Sequence, residues 1–356
     1  MKFKRILSGA LFVAMLCTML TSCGSNPTTS NNGTSGDGTS ASQSDSTGFD
    51  SADSPSYELK LGHVQTSTHS YHIGAMYFAE QIEERSGGKI KVDVYPSSQL
   101  GSERDLVEGV QMGTLDMAIV GVGVLANFDP SFEIFNLPFL FNDREHAYKV
   151  LGGEFGAEKF KQLEQFDIVG LGYYENGFFD ILSNKKVEVP SDAAGLNIRT
   201  MENAVYMGIF QAIGANPVPM AFSEVYTALQ NGTVDGASVS ITALTPTKFH
   251  EVASNFAILD MCFTPTPLIM SKEILSGMPE SYQELIREVA AESVTVQWDE
   301  TVRQEEEAKK EMEAAGCVIN TVQDRQAWID AIVDTVYAQV ADIVPQEDID
   351  AVRNAA

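Results

Sequence analysis

Residues 195–236 read GLNIRTMENAVYMGIFQAIGANPVPMAFSEVYTALQNGTVDG, and this stretch decides the fold because it packs two strand-to-helix units about a single arginine. Leu196 and Ile198 alternate with polar neighbours as in a short strand, so Arg199 falls on the opposite face at the strand's carboxyl end. In open α/β sheets that is where ligands bind. Tyr206, Ile209, Phe210 and Ile213 recur at i, i+3, i+4 and i+7, one face of a helix, which Gly214 ends with Asn216 and Pro217 behind it. A second helix is entered at Phe222 and Ser223, buries Val225, Ala228 and Leu229, and closes at Asn231 and Gly232 before a strand at Val234. Arg199 is suited to hold a carboxylate through two parallel hydrogen bonds that a lysine cannot reproduce. By residue type alone, an exposed and solvated arginine is the commoner outcome.

Outward from this stretch the same alternation of elements continues. YELKLGHV is a strand in which Tyr57, Leu59 and Leu61 alternate with polar residues, and Ala75, Phe78, Ala79 and Ile82 form the apolar face of a helix stopped at Gly87. Ile90, Val92 and Val94 then make a second strand, and this strand, helix, strand order predicts a parallel sheet. Another helix carries Leu106, Val107 and Val110, followed by a strand ending near Val120. A helix from His146 leads to the strand-like GLGYYENGFFDILSNKK, and FTPTPLIMSK marks a return crossing. A long helix is expected from Glu280 to Ala315 and a last one from Trp328 to Val340; the EEEAKKEME run in the former reads as a solvated face laced with i, i+4 pairs.

Several phrases in this text, PSSQLG, GTLDMA, FNLPFLFND and the IRTMEN to VDG stretch, resemble the solute-binding subunits of tripartite ATP-independent periplasmic (TRAP) transporters, the DctP-type family. The resemblance implies a two-domain periplasmic-binding-protein-like α/β fold, each domain a mixed sheet flanked by helices, with hinge strands between and a long helix spanning both. The implied division is 57–176 with 265–304 as one domain and 177–264 with 305–356 as the other. It further implies that Arg199 holds the ligand carboxylate, Phe222 packs on the ligand body and Glu202 follows at a pocket position, with Tyr173, Glu103 and Thr266 placed there by position. The chain departs from the family pattern at Phe179, where a second arginine is usual, and at Val239, where an asparagine is usual; Val64, Gly121 and Val124 replace further polar positions. These departures predict a more apolar pocket, taking a monocarboxylate with an apolar or aromatic body. The competing readings are a dicarboxylate, a sugar acid or a neutral sugar as ligand, or a metal-binding receptor using His63, His69 and His72.

Composition bounds the remaining classes. The chain has 356 residues, 44% of them hydrophobic, and its formal net charge of -26 argues against nucleic acid, whose phosphates it would repel. Residues 1–22 carry Lys2, Lys4 and Arg5 before an apolar run, a targeting segment, and LTSC resembles a bacterial lipobox with cleavage before an acylated Cys23. Residues 23–56 form a Ser/Thr/Gly-rich linker, too poor in apolar surface to fold, which as a coil would reach roughly 30 Å. Cys262 and Cys317 either pair or stay free thiols. No GxSxG, Walker or GxGxxG motif occurs, and no cofactor is expected. The chain therefore reads as a receptor, not an enzyme, lipid-anchored at the extracytoplasmic face of the bacterial membrane, delivering a small organic acid to TRAP membrane subunits.

Overall fold

The alternation in YELKLG and IKVDVY pairs as expected: in the computed structural model, which describes residues 55–355, β1 (Tyr57–Gly62) and β2 (Ile90–Tyr95) are parallel and joined by α1 (Ser70–Arg85). The targeting segment, Cys23 and most of the linker lie outside the described residues. A second unit adds α2 (Glu103–Gln111) and β3 (Met117–Ile119), with β3 parallel to β1 on its other edge. The short α3 (Val122–Leu125) follows. The helix expected from His146 is two helices, α4 (Arg144–Gly152) and α5 (Glu154–Leu163), parted at Gly153.

The chain then crosses the molecule in one 16-residue strand, β4 (Ile168–Ser183). Beyond it come β5 (Asn197–Thr200), α6 (Ala204–Ala212), β6 (Asn216–Pro219), α7 (Val225–Gln230) and β7 (Gly236–Val239). β6 was not foreseen, since NPVP has two prolines; it is tolerated because β6 is the outermost strand, where missing N–H groups break no ladder. The return crossing is also longer than its sequence signal, β8 running 17 residues from Asn255 to Ser271. After it come α8 (Lys272–Ser276), α9 (Glu280–Ala314), β9 (Val318–Thr321), α10 (Arg325–Gln339) and an unforeseen α11 (Gln346–Asn354).

All described strands join one mixed sheet, ordered β2-β1-β3-β8-β4-β7-β5-β6, with β9 beside β8. Its spine is the antiparallel pair β4 and β8, whose register shifts at three places: between Gly170 and Gly172, between Phe179 and Ile181, and, midway along, between Glu175 (opposite Pro265) and Phe178 (opposite Phe263). The domain boundary expected from sequence, 176/177 and 264/265, falls on this slip. α9 runs along both ends of the sheet: Tyr282, Ile286 and Val289 pack with Leu59, Phe78 and Leu268, while Ala308 and Met312 pack with Leu182, Val239 and Phe256. Each such large apolar side chain, once fully buried, contributes about 1.5–3 kcal/mol. The charged run on α9 pairs within itself, through Arg303 with Glu300 and Glu307 and Lys309 with Glu306.

Local chemistry explains the VDG wording. Asp235 accepts from Asn197 N (2.9 Å) and Asn184 Nδ2 (3.3 Å), tying β5 to the end of β4, and the next residue must lie against the Leu182 carbonyl. A Cβ at Gly236 would stand 2.3 Å from that oxygen. Cys262 and Cys317 are both free thiols, the first buried. His69 caps α1, its Nδ1 accepting from Tyr71 N at 3.2 Å, while His63 Nε2 and His72 Nδ1 share a 3.1 Å hydrogen bond. Burial pulls His63 and His69 down to about 3, so both are neutral in the fold.

Two outcomes follow. Gly236→Ala should lower the free energy of unfolding by about 1–3 kcal/mol in a urea titration, because the methyl can be admitted only by moving backbone. His69→Asn keeps a capping side chain but removes a group that binds a proton only when unfolded. Unfolded wild type takes up that proton below the ordinary pKa of 6.5, so wild type should lose stability relative to the variant as pH falls from 6.5 towards 3. The difference between their urea-derived stabilities should grow by at most about 1.4 kcal/mol per pH unit.

Candidate functional site

Arg199 is the third residue of β5, paired across to Val218 and Ala237, and it is 3% exposed. Its Nε and Nη2 donate to the Met220 carbonyl at 3.2 and 3.0 Å, which fixes the guanidinium plane. Of the five N–H groups of a guanidinium, these bonds engage two and leave the end formed by Nη1 and the second hydrogen of Nη2. Among the described residues no carboxylate comes within salt-bridge distance. Burial lowers the Arg199 pKa to about 10, partly opposed by Glu103, Glu202 and Glu224, so the group is charged at neutral pH.

Arg199 lines a cavity whose other residues come from both ends of the sheet. Its apolar wall includes Val64, Phe179, Met201, Phe222 and Val239. The Phe222 ring lies 5.9 Å from Arg199 Cζ and 5.6 Å from the Phe249 ring, and Phe179 packs on Tyr206 at 5.8 Å. The lining also includes polar residues: Gln65, Tyr71, Glu103, Asn176, Ser240, Thr264 and Thr266. Gln65 Oε1 is buried without a partner among the described residues, and the Thr266 hydroxyl has only the Tyr71 hydroxyl beside it. An unsatisfied buried polar group costs about 1–3 kcal/mol, so these atoms favour a guest that supplies the missing bonds.

Glu103 reaches the cavity because a capping box starts α2 one residue earlier, Ser102 N donating to Asp105 Oδ2 at 2.8 Å and Asp105 N to Ser102 Oγ. Its Oε1 accepts from Gly121 N at 2.8 Å; burial raises its pKa, against the pull of that bond and of Arg199. The PSSQLG loop holds the strand exit beside it, Ser97 N donating to Gln65 O (2.7 Å) and Ser98 N to His63 O (3.2 Å).

Of the residues expected in the site, Arg199, Phe222, Phe179, Val239, Glu103 and Thr266 come together at this cavity. Two do not line it. Tyr173 is in the core, stacked on Phe160 at 3.9 Å with its hydroxyl donating to Gly156 O at 3.0 Å, on the other face of β4. Glu202 is exposed and borders a neighbouring space that shares Glu103, Arg199, Met201 and Phe222 with the cavity; its backbone oxygen accepts from Asn127 Nδ2 at 2.9 Å. The pocket is also less apolar than expected, because Gln65, Tyr71, Asn176, Ser240 and Thr264 were missed. Only Ser240, which follows β7 beside the Arg199 strand, had a place that could have pointed to it; the others stand on or beside β1, α1, β4 and β8, which do not pair with β5. Among the described residues no group of three or more His, Cys, Asp or Glu side chains is placed to hold a metal ion, and no helix is long and apolar enough to cross a membrane.

The sequence matches the family of bacterial extracellular solute-binding proteins, family 7 (DctP), over residues 61–342. It is 31% identical over 299 residues, 84% of this chain and 91% of the relative, to the 2,3-diketo-L-gulonate-binding periplasmic protein of Escherichia coli K12. It is 32% identical over 304 residues, 83% of this chain and 90% of the relative, to the C4-dicarboxylate-binding periplasmic protein of Rhodobacter capsulatus. The fold superposes with a TM-score of 0.82 on a TRAP periplasmic solute-binding protein from Polaromonas sp. JS666 bound to D-erythronate, at 33% identity, covering 84% of this chain and 98% of that one.

Proposed function

The chain belongs to the bacterial extracellular solute-binding proteins of family 7, the DctP family, and from that membership we propose that it is a TRAP receptor for a small monocarboxylate held by Arg199. Members of this family are extracytoplasmic receptors, not enzymes. The observation that carries the ligand reading is the buried guanidinium, one end fixed on Met220 O and the other left to the cavity with no protein carboxylate to meet it. A charge kept in such a place is expensive unless something anionic joins it.

One carboxylate is favoured over two. Arg199 is the only cationic side chain lining the cavity among the described residues, and the other charged group there is Glu103. A second ligand carboxylate would therefore meet repulsion, even though a relative's name records C4-dicarboxylates. The body of the acid is compact and lies between an aromatic wall, Phe179 and Phe222, and a polar one. The four-carbon D-erythronate bound by a relative is of this size and charge.

The division into 57–176 with 265–304 and 177–264 with 305–356 enters as two lobes hinged where the β4 and β8 register slips. A ligand touching residues from both ends of the sheet stabilises the closed arrangement by contacts it makes only there, and closure is the signal to the membrane subunits. Acylated Cys23 at the end of a flexible linker would keep the receptor beside them.

A thermal-shift screen against monocarboxylates, succinate, neutral sugars and zinc tests the ligand class, since anything binding only the folded state raises the melting temperature. The largest shift is expected with a small monocarboxylate. Arg199→Ala should weaken that ligand by about two to three and a half powers of ten in calorimetry, the cost of a buried carboxylate without its partner. Undiminished binding by Arg199→Ala, or a shift with zinc or neutral sugars alone, would refute the reading. Cys23→Ser should move the protein from the membrane to the soluble fraction of its cells, and unchanged fractionation would remove the lipid anchor.

A further inference from the structure

Asn176 is fixed in two ways, through its chain neighbour Glu175 and through its own side-chain oxygen, and Arg199 takes part in neither. Its backbone neighbour Glu175 is gripped by the amide of Gln297 on α9: Glu175 N donates to Gln297 Oε1 at 2.9 Å and Gln297 Nε2 donates to Glu175 O at 2.7 Å. A side chain thus pairs with β4 as a neighbouring strand would, at the place where the pairing with β8 is interrupted. Gln297 is fully buried and is itself fixed by Ser70 Oγ and Thr301 Oγ1 at 3.1 and 2.8 Å. The Glu175 carboxylate accepts from Arg144 Nε (2.9 Å) and Tyr148 Oη (2.6 Å).

The Asn176 side chain is oriented as well. Its Oδ1 accepts from Ser240 Oγ at 2.9 Å and, more weakly, from Thr242 Oγ1 at 3.4 Å, and those two hydroxyls are themselves 3.0 Å apart. Ser240 and Thr242 are each 1% exposed, so no bulk water competes for the carbonyl. With the oxygen turned to this pair, the Nδ2 end is left to the cavity that Asn176 lines, and it has no protein acceptor among the described residues. An amide donor fixed at this end, in a wall shared with Arg199, is suited to an uncharged oxygen set apart from the carboxylate.

We infer that Asn176 reads an oxygen on the body of the bound acid, its Nδ2 donating to a hydroxyl or carbonyl oxygen, so that the site prefers oxygenated acids to their hydrocarbon counterparts. The inference rests on Arg199 taking the carboxylate. Ser240 and Thr242 are then positioning residues, acting through the amide they orient. A site built to hydrogen-bond a ligand oxygen discriminates more strongly than one that merely makes room for it, because the deoxy ligand leaves the buried donor unpaired.

Calorimetric titration with D-erythronate and with butyrate, the same four-carbon chain without hydroxyls, tests it. Wild type should bind erythronate more tightly. Asn176→Ala should lose roughly tenfold to a hundredfold for erythronate and less than about threefold for butyrate, whose retained binding also reports an intact fold. Ser240→Ala and Thr242→Val, which leave Asn176 in place but free to turn, should narrow the same ratio in part. Equal loss on both acids would make Asn176 structural and overturn the inference, as would a ratio unchanged in all three variants. Equal affinity of wild type for the two acids would overturn it while leaving Arg199 its role; failure of wild type to bind either would remove the Arg199 reading, and this one with it.

Discussion

The pairing of β4 with β8 is the constraint on which the rest of the molecule depends. Two antiparallel strands of 16 and 17 residues serve a parallel set at one end (β1, β2, β3) and another at the other (β5, β6, β7). The slip between Glu175 and Phe178 bends the ladder between the two sets. Gly177, with φ of +71°, takes the left-handed conformation the bend needs. Backbone groups freed by the slip are buried and must find partners, and Gln297 supplies them for Glu175. The cavity lies against this irregularity, lined by Asn176 and Thr264 beside the shift, by residues of both sheet ends and by Tyr71 of α1.

The same slip explains why part of the site was legible in the sequence and part was not. A regular strand alternates faces, so Tyr173 and Phe179, six residues apart, should share one. The extra residue between Glu175 and Phe178 reverses the alternation, leaving Tyr173 against Phe160 and carrying Phe179 into the cavity. Sequence periodicity holds no record of a bulge, and without it Asn176 has no mark that separates it from its neighbours. Arg199 was legible for the opposite reason. Its strand is four residues long and regular, and the carboxyl end of such a strand has a fixed place in an α/β sheet. The parallel pairing of β1 and β2 was legible in the same way, from an alternation that nothing interrupts. β6 was hidden by its prolines, which sequence reading takes as strand breakers and the outermost position excuses. Glu202 misled because the residue that follows a strand end is free to turn either way; here Asn203 caps α6 and donates to Gly123 O and the Glu133 carboxylate, leaving Glu202 to solvent.

Charge acts on two scales in this protein. The chain as a whole carries -26, a poor surface for an anion to approach, yet the proposed ligand is an anion. Surface charges more than about 8 Å away are largely screened at physiological ionic strength. A buried guanidinium at contact is not: at 4 Å the attraction is about 1 kcal/mol in bulk water and about 4 kcal/mol at an effective dielectric constant of 20. The acidic surface therefore bears chiefly on how fast an acid arrives, and the cavity on whether it stays. Within the cavity Arg199 already stands near Glu103, which lowers the cost of burying its charge before any ligand arrives. On the proposed reading that arrangement limits the guest too, because among the described residues the cavity lining offers a second ligand carboxylate Glu103 and no second cation.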